Sequence, residues 1–184
     1  MVISAQWTNR HSHALHYNIY MRSAVIKDLA REVVSLLQEQ GLTVATAESC
    51  TGGSIAAAIT SVAGCSSVML GGVVAYHNDV KVNVLGVNRS FLDTLGAVSE
   101  PVVEQMACGV SELTGARCAV ATSGVAGPGG GTAEKPVGTV WVALRVDDRV
   151  ETHLLNLGDK GRETNIDKCV SVVLGLLRDM LLRR

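Results

Sequence analysis

Residues 42–62 read LTVATAESCTGGSIAAAITSV, and the architecture turns on them. Residues 42–47 form a short run of apolar and β-branched side chains, the pattern of a buried strand. Glu48-Ser49-Cys50-Thr51-Gly52-Gly53 follows as a tight turn, and the alanine-rich residues 54–62 predict a helix. A buried strand feeding a helix through a glycine turn is a building unit of α/β layered domains. Upstream, Ile26, Leu29, Ala30, Val33, Leu36 and Leu37 fall on one helical face, and Gly41 is a natural stop. Downstream, residues 68–76 predict a second strand, with Gly71-Gly72 marking a bulge or close packing. Residues 78–85 predict a short helix. Ser99 reads as an N-cap ahead of Pro101, and Val102, Val103, Met106, Ala107, Val110 and Leu113 form a stripe that Gly115 ends.

Residues 118–122 predict another buried strand. Strands over 139–145 and 150–157 flank an Asp147-Asp148 turn, and a final amphipathic helix runs through Ile166, Cys169, Val170, Val173, Leu174, Leu177 and Leu181. The hairpin rules out an all-parallel sheet. The expected fold is therefore α/β, a single layered domain with a mixed central β-sheet flanked by helices.

The chain has 184 residues, enough for one domain with a real core. Apolar residues make up 47% and charged residues 18%, which excludes a disordered chain. The net charge is -1 and no basic stripe is visible, which argues against a nucleic-acid partner. Five cysteines without CxxC spacing predict reduced thiols in a cytoplasmic protein, with neither a disulfide framework nor a zinc site. Residues 49–78 carry no Asp, Glu, Lys or Arg, but five glycines and five serines break the stretch, so no membrane span is expected. Residues 1–20 lack a hydrophobic run and predict a poorly ordered N-terminal extension, with the domain occupying residues 21–184. His11, His13 and His16 lie in that extension as a weak metal-ligand group.

Three stretches can carry chemistry. In the first, AESCTGG at 47–53, a strand-to-helix turn exposes one side chain and aims backbone amides at the same spot, as a serine nucleophile needs. Ser49 is the candidate, and Gly52 and Gly53 allow a substrate close to the backbone. The competing reading is a helix cap supplied by Ser49 or Thr51. Cys50 is an alternative nucleophile, but neighbours on an extended segment point apart. In the second, Tyr76-His77-Asn78-Asp79-Val80-Lys81, a partly desolvated lysine or a phenol can help a hydroxyl lose its proton. The competing reading is a strand end, an asparagine cap and a solvated lysine. The third, SGVAGPGGGTAEKPVGTVW at 123–141, holds six glycines and two prolines, and its amides suit phosphate or carbonyl oxygens.

Taken together and in order, AESCTGG, Y-x-N-x-x-K and AGPGGGTAEKPVGTVW resemble the CinA C-terminal domain family in its stand-alone form, over about residues 24–182. The family's usual TGIAGP stands here as Ser123-Gly124-Val125-Ala126-Gly127-Pro128, which keeps the hydroxyl and loses a methyl. The family includes amidases that convert nicotinamide mononucleotide to nicotinic acid mononucleotide and ammonia. The resemblance implies Ser49 as nucleophile with Tyr76 and Lys81 as its assistants. It implies substrate contacts from Glu48, Cys50, Thr51, Gly52, Gly53 and Asn78. Ser123, Gly124, Gly127, Gly130 and Gly131 would join them, with the glycine loop, Lys135 or Arg162 meeting a phosphate. Glu48 is placed to orient Lys81 or a water. A small pyridine nucleotide is the expected partner, with no metal or organic cofactor, no nucleic acid and no membrane. A homo-oligomer, a dimer, is expected. The alternatives are an amidase for another small carboxamide, or a non-catalytic interaction domain associated with competence or DNA damage.

Overall fold

The computed structural model describes the backbone of residues 12–184 and the side chains of residues 24–184. Five strands form one sheet in the order β2-β1-β3-β4-β5, with β1 at Val44–Glu48, β2 at Met69–Val74, β3 at Cys118–Gly124, β4 at Thr139–Val146 and β5 at Arg149–Asn156. β1 runs parallel to both β2 and β3, while β3–β4 and β4–β5 are antiparallel. The sheet is mixed, as the hairpin demanded.

The period of two along each strand sorts the core into two layers. Val44, Val120, Val142 and Leu144 face one side, where they pack with α1 (Ser12–Glu39), α2 (Ser54–Thr60) and α6 (Arg162–Leu182). Ala45, Ala47, Ala119, Ala121 and Ala143 face the other. This alanine surface lets α5 (Glu100–Thr114) lie close, driving Val102, Val103, Met106 and Val110 into it. The short helices α3 (Asn78–Leu85) and α4 (Arg89–Leu95) complete that layer. Gly109 of α5 marks the tightest approach: a Cβ there would sit 1.9 Å from the Leu85 carbonyl oxygen.

Several local expectations are refined. α1 begins at Ser12, ahead of the periodic start at Ala24, and so overlaps residues 12–20 of the expected extension. Residues 1–11, and the side chains of His11, His13 and His16, lie outside the described residues. Ser99 occupies the N-cap position of α5, but its hydroxyl donates to the Gly96 carbonyl rather than capping the helix. Arg178, Arg183 and Arg184 are held by ion pairs to Glu32 and Asp179, to Glu151 and to Asp147 respectively. No helix of the described residues is long and apolar enough to cross a membrane.

Candidate active site

The parallel pairing of β1 with β2 and β3 brings three segments to one end of the sheet: the turn after β1, the chain leaving β2, and the loop after β3. Ser49 stands at the first, its amide donating to the Thr122 carbonyl at 3.0 Å. Lys81, on the first turns of α3, reaches back across 32 positions and places Nζ 3.2 Å from Ser49 Oγ. It also donates to the carbonyls of Ala75 (2.6 Å) and Tyr76 (3.4 Å). Lys81 is only 1% exposed, and its desolvation pulls the ammonium below the ordinary lysine value of 10.5; the charge on Cys50 opposes this. Two carbonyls can absorb two N–H bonds of a neutral amine. The nitrogen lone pair is then left for the Ser49 hydroxyl proton.

Glu48 has a different task from the one expected. Its carboxylate is fully buried and accepts from the amides of Gly53 (3.0 Å), Ile55 (3.0 Å) and Ala56 (2.8 Å). It therefore caps α2, whose N-cap Gly53 has φ 98 and no capping side chain of its own. It neither orients Lys81 nor leaves this helix start open to an anion. The amides of Gly52 and Ser54 bond to the carbonyls of Ser49 and Thr51. Cys50 and Thr51 supply the turn amides outside these pairings.

The side chains of Cys50 and Thr51 turn inward, which removes them from substrate contact. Thr51 Oγ1 lies 2.8 Å from Thr122 Oγ1 in the core. Cys50 faces Cys169 and Thr122; the shared thiol hydrogen bond holds Cys50 below the ordinary range and helps push Cys169 well above it, with burial. Ser49 and Cys50 thus point apart, Ser49 toward Lys81 and Cys50 toward Cys169 and Thr122.

Tyr76 is exposed, and its phenol accepts from Arg162 at 2.8 Å. Among the described residues, Lys81 hydrogen-bonds the Tyr76 carbonyl, while the phenol is engaged by Arg162. Arg162 also donates to the Gly127 carbonyl at 3.1 Å, tying the start of α6 to the glycine loop. One turn along α6, the buried Asn165 donates to Ala126 at 3.2 Å, and its Oδ1 has no partner among the described residues. Ser123 is buried, Gly124 packs against Val140, and Gly130 and Gly131 lie at the exposed part of the loop. Lys135 spends its ammonium on the Leu95 carbonyl at 2.5 Å, anchoring the loop to α4. Asn78 is exposed on the first turn of α3, and His77 rather than Asn78 caps that helix. A cleft of about 390 Å³ opens beside Arg162, lined also by Ser54, Glu163, Ile166 and Asp167.

Sequence reasoning missed the cap made by Glu48, the Thr122 support and the Asn165 clamp. Asn165 alone had a visible signal, a polar residue beside the apolar stripe of the last helix.

These features define a class: a mixed α/β domain in which a buried lysine contacts a serine hydroxyl at a strand-to-helix turn. Residues 26–181 match the CinA C-terminal domain, and the chain belongs to that family. It is 50% identical over 137 residues to a CinA-like protein of Synechocystis, covering 73% of this chain and 33% of the relative. It is 43% identical over 171 residues to a CinA-like protein of Shewanella sp. strain W3-18-1, covering 91% and 40%. The chain thus spans well under half the length of these relatives. Among solved structures, the competence/damage inducible protein CihA of Agrobacterium tumefaciens superposes with a TM-score of 0.83 at 45% identity, covering 85% of this chain and 95% of that one. A CinA superfamily protein of Klebsiella pneumoniae gives 0.83 at 35% identity, covering 86% and 99%.

Proposed function

We propose that this domain is an amidohydrolase that converts nicotinamide mononucleotide to nicotinic acid mononucleotide and ammonia, with Ser49 as nucleophile. The observation that carries this reading is the 3.2 Å contact between Ser49 Oγ and the buried Lys81 Nζ. A lysine whose charge is disfavoured by burial is a base for a hydroxyl. Lys81 takes the Ser49 proton as Oγ bonds to the carboxamide carbon, and the carbonyl electron pair moves onto oxygen. The amides of Cys50 and Thr51 are the groups nearest in the chain to receive that oxyanion. Collapse breaks the C–N bond, Lys81 returns its proton to the leaving nitrogen, and ammonia departs. Water then adds to the acyl ester by the same proton route, releasing the carboxylate and regenerating Ser49. Arg162, fixed by Tyr76 and Gly127, is a cation beside a cleft and suits the substrate phosphate.

The test is ammonia release by the purified chain from nicotinamide mononucleotide, with nicotinamide and its riboside as controls. Turnover of the nucleotide is expected. Release from none of the three, by folded protein, would overturn the assignment, and preference for another carboxamide would move the substrate while keeping the chemistry.

A further inference from the structure

We propose that Cys50 and Cys169 are a reversible redox pair, and that closing their disulfide, with a peroxide as oxidant, disables the Ser49 turn. Cys50 directly follows Ser49, and Cys169 lies on α6. They come from distant parts of the chain, yet both sit in the same core layer, 6% and 1% exposed, and their thiols share a hydrogen bond. The Cys169 thiol and the Thr122 hydroxyl both donate to the Cys50 sulfur. Thr122 is itself backed by Thr51, 2.8 Å away. A sulfur ringed by donors is held toward the thiolate, the nucleophilic form, and Cys50 is the more exposed of the two. Other thiols are placed differently: burial pushes Cys118 up to about 12, and Cys65 donates to the Thr60 carbonyl at 3.5 Å. All five cysteines are free, so the structure is the reduced state of the pair.

The step balances with one hydrogen peroxide. The Cys50 sulfur attacks a peroxide oxygen, the O–O bond breaks, and the Cys50 proton leaves in water. The Cys169 sulfur then attacks the resulting sulfenic acid at sulfur, the S–O bond breaks, and the Cys169 proton leaves in a second water. Two electrons pass from the sulfurs to the peroxide, and a small dithiol returns them by exchange. A disulfide holds its sulfurs at about 2.05 Å, closer than any thiol hydrogen bond, so closure draws the turn and α6 together. Glu48 cannot follow, because three amides at the start of α2 hold its carboxylate. Ser49 lies between this fixed residue and the moving one, and its 3.2 Å contact with Lys81 is what the strain disturbs. The bond itself does not depend on the amidase reading; its effect on turnover rests on that reading.

Peptide mapping by mass spectrometry on the purified chain, before and after mild hydrogen peroxide, tests the bond. A peptide containing Cys50 joined to one containing Cys169 is expected, with two hydrogen atoms lost and dithiothreitol reversing the change. Ammonia release from nicotinamide mononucleotide should fall at least about tenfold on oxidation and return on reduction. Cys169→Ala, confirmed folded by circular dichroism, should keep its turnover in peroxide; Cys169→Ser takes its place if the alanine variant does not fold. A Cys65→Ala/Cys108→Ala double variant should be inactivated like the wild type. Absence of the 50–169 link after oxidation would overturn the proposal. Linked protein with unchanged turnover would overturn it too, as would a peroxide-sensitive Cys169 variant or a resistant double variant. A reduced chain that releases no ammonia would instead count against the amidase reading, and the mapping would still decide the redox pair.

Discussion

Ser49 and Glu48 are neighbours with separable duties, and substitution can tell them apart. Because Glu48 caps α2, Ser49→Ala forfeits no cap. We expect its melting temperature to match the wild type while ammonia release falls at least about 10³-fold. Cys50→Ala, which trims a side chain buried against Cys169, should keep most activity. An active Ser49→Ala protein would remove the nucleophile assignment. Lys81 gives a pH signature. Its folded value lies below 10.5, so between the two values the unfolded chain binds more protons and stability rises with pH. Activity should rise in the same direction, because the neutral amine is the base, with a midpoint below 10.5. Lys81→Met should abolish turnover and flatten this part of the stability profile. A Lys81→Met enzyme retaining the wild-type pH–rate curve would rule the lysine out as base.

At the scale of elements, the placement of Lys81 depends on how closely α3 packs on α5. Leu85 lies one turn beyond Lys81, and its carbonyl sits against Gly109. Gly109→Ala must push α3 outward. A loss of about 1–3 kcal/mol is expected, read as a lower melting temperature. Ammonia release should also fall well below the melt, because Lys81 moves with its helix; unchanged activity would show that the helix contact does not position the base. The legibility of elements follows their dependence on such contacts. The stripe of α5 and the bounds of α3 could be read directly, since period and glycine stops are local signals. α4 escaped notice because it has seven residues and buries only Leu92. A helix that short is stable only through tertiary packing, which leaves little trace in spacing.

Across the whole molecule, Arg162 joins pieces of chain that are distant in sequence: α6, the loop at Gly127 and the chain leaving β2 at Tyr76. Arg162→Ala should therefore raise KM for nicotinamide mononucleotide by about tenfold, the loss of roughly 1.4 kcal/mol of phosphate binding. kcat should change little, because the Ser49–Lys81 pair does not include it. Steady-state kinetics check this, and an unchanged KM would place the phosphate elsewhere.

What the amino-acid order determined by itself was whatever depends on near neighbours. The alternation of strands and helices, the hairpin that makes the sheet mixed, and the three motif-bearing turns all follow from periodicity and turn chemistry. The divergence of Ser49 from Cys50 was legible for the same reason. The meeting of Lys81 with Ser49 was suggested by motif resemblance, but its geometry was not readable from spacing. It required β2 to lie beside β1 and α3 to fold back over the sheet end, a choice made by sheet order and by the alanine face under α5. The inward turn of Thr51, the capping role of Glu48 and the diversion of Tyr76 and Lys135 to Arg162 and Leu95 were likewise tertiary decisions. Each depends on which donor or acceptor the packed chain brings within about 3 Å, and hydrogen bonding is too short-ranged for residue spacing alone to specify that partner.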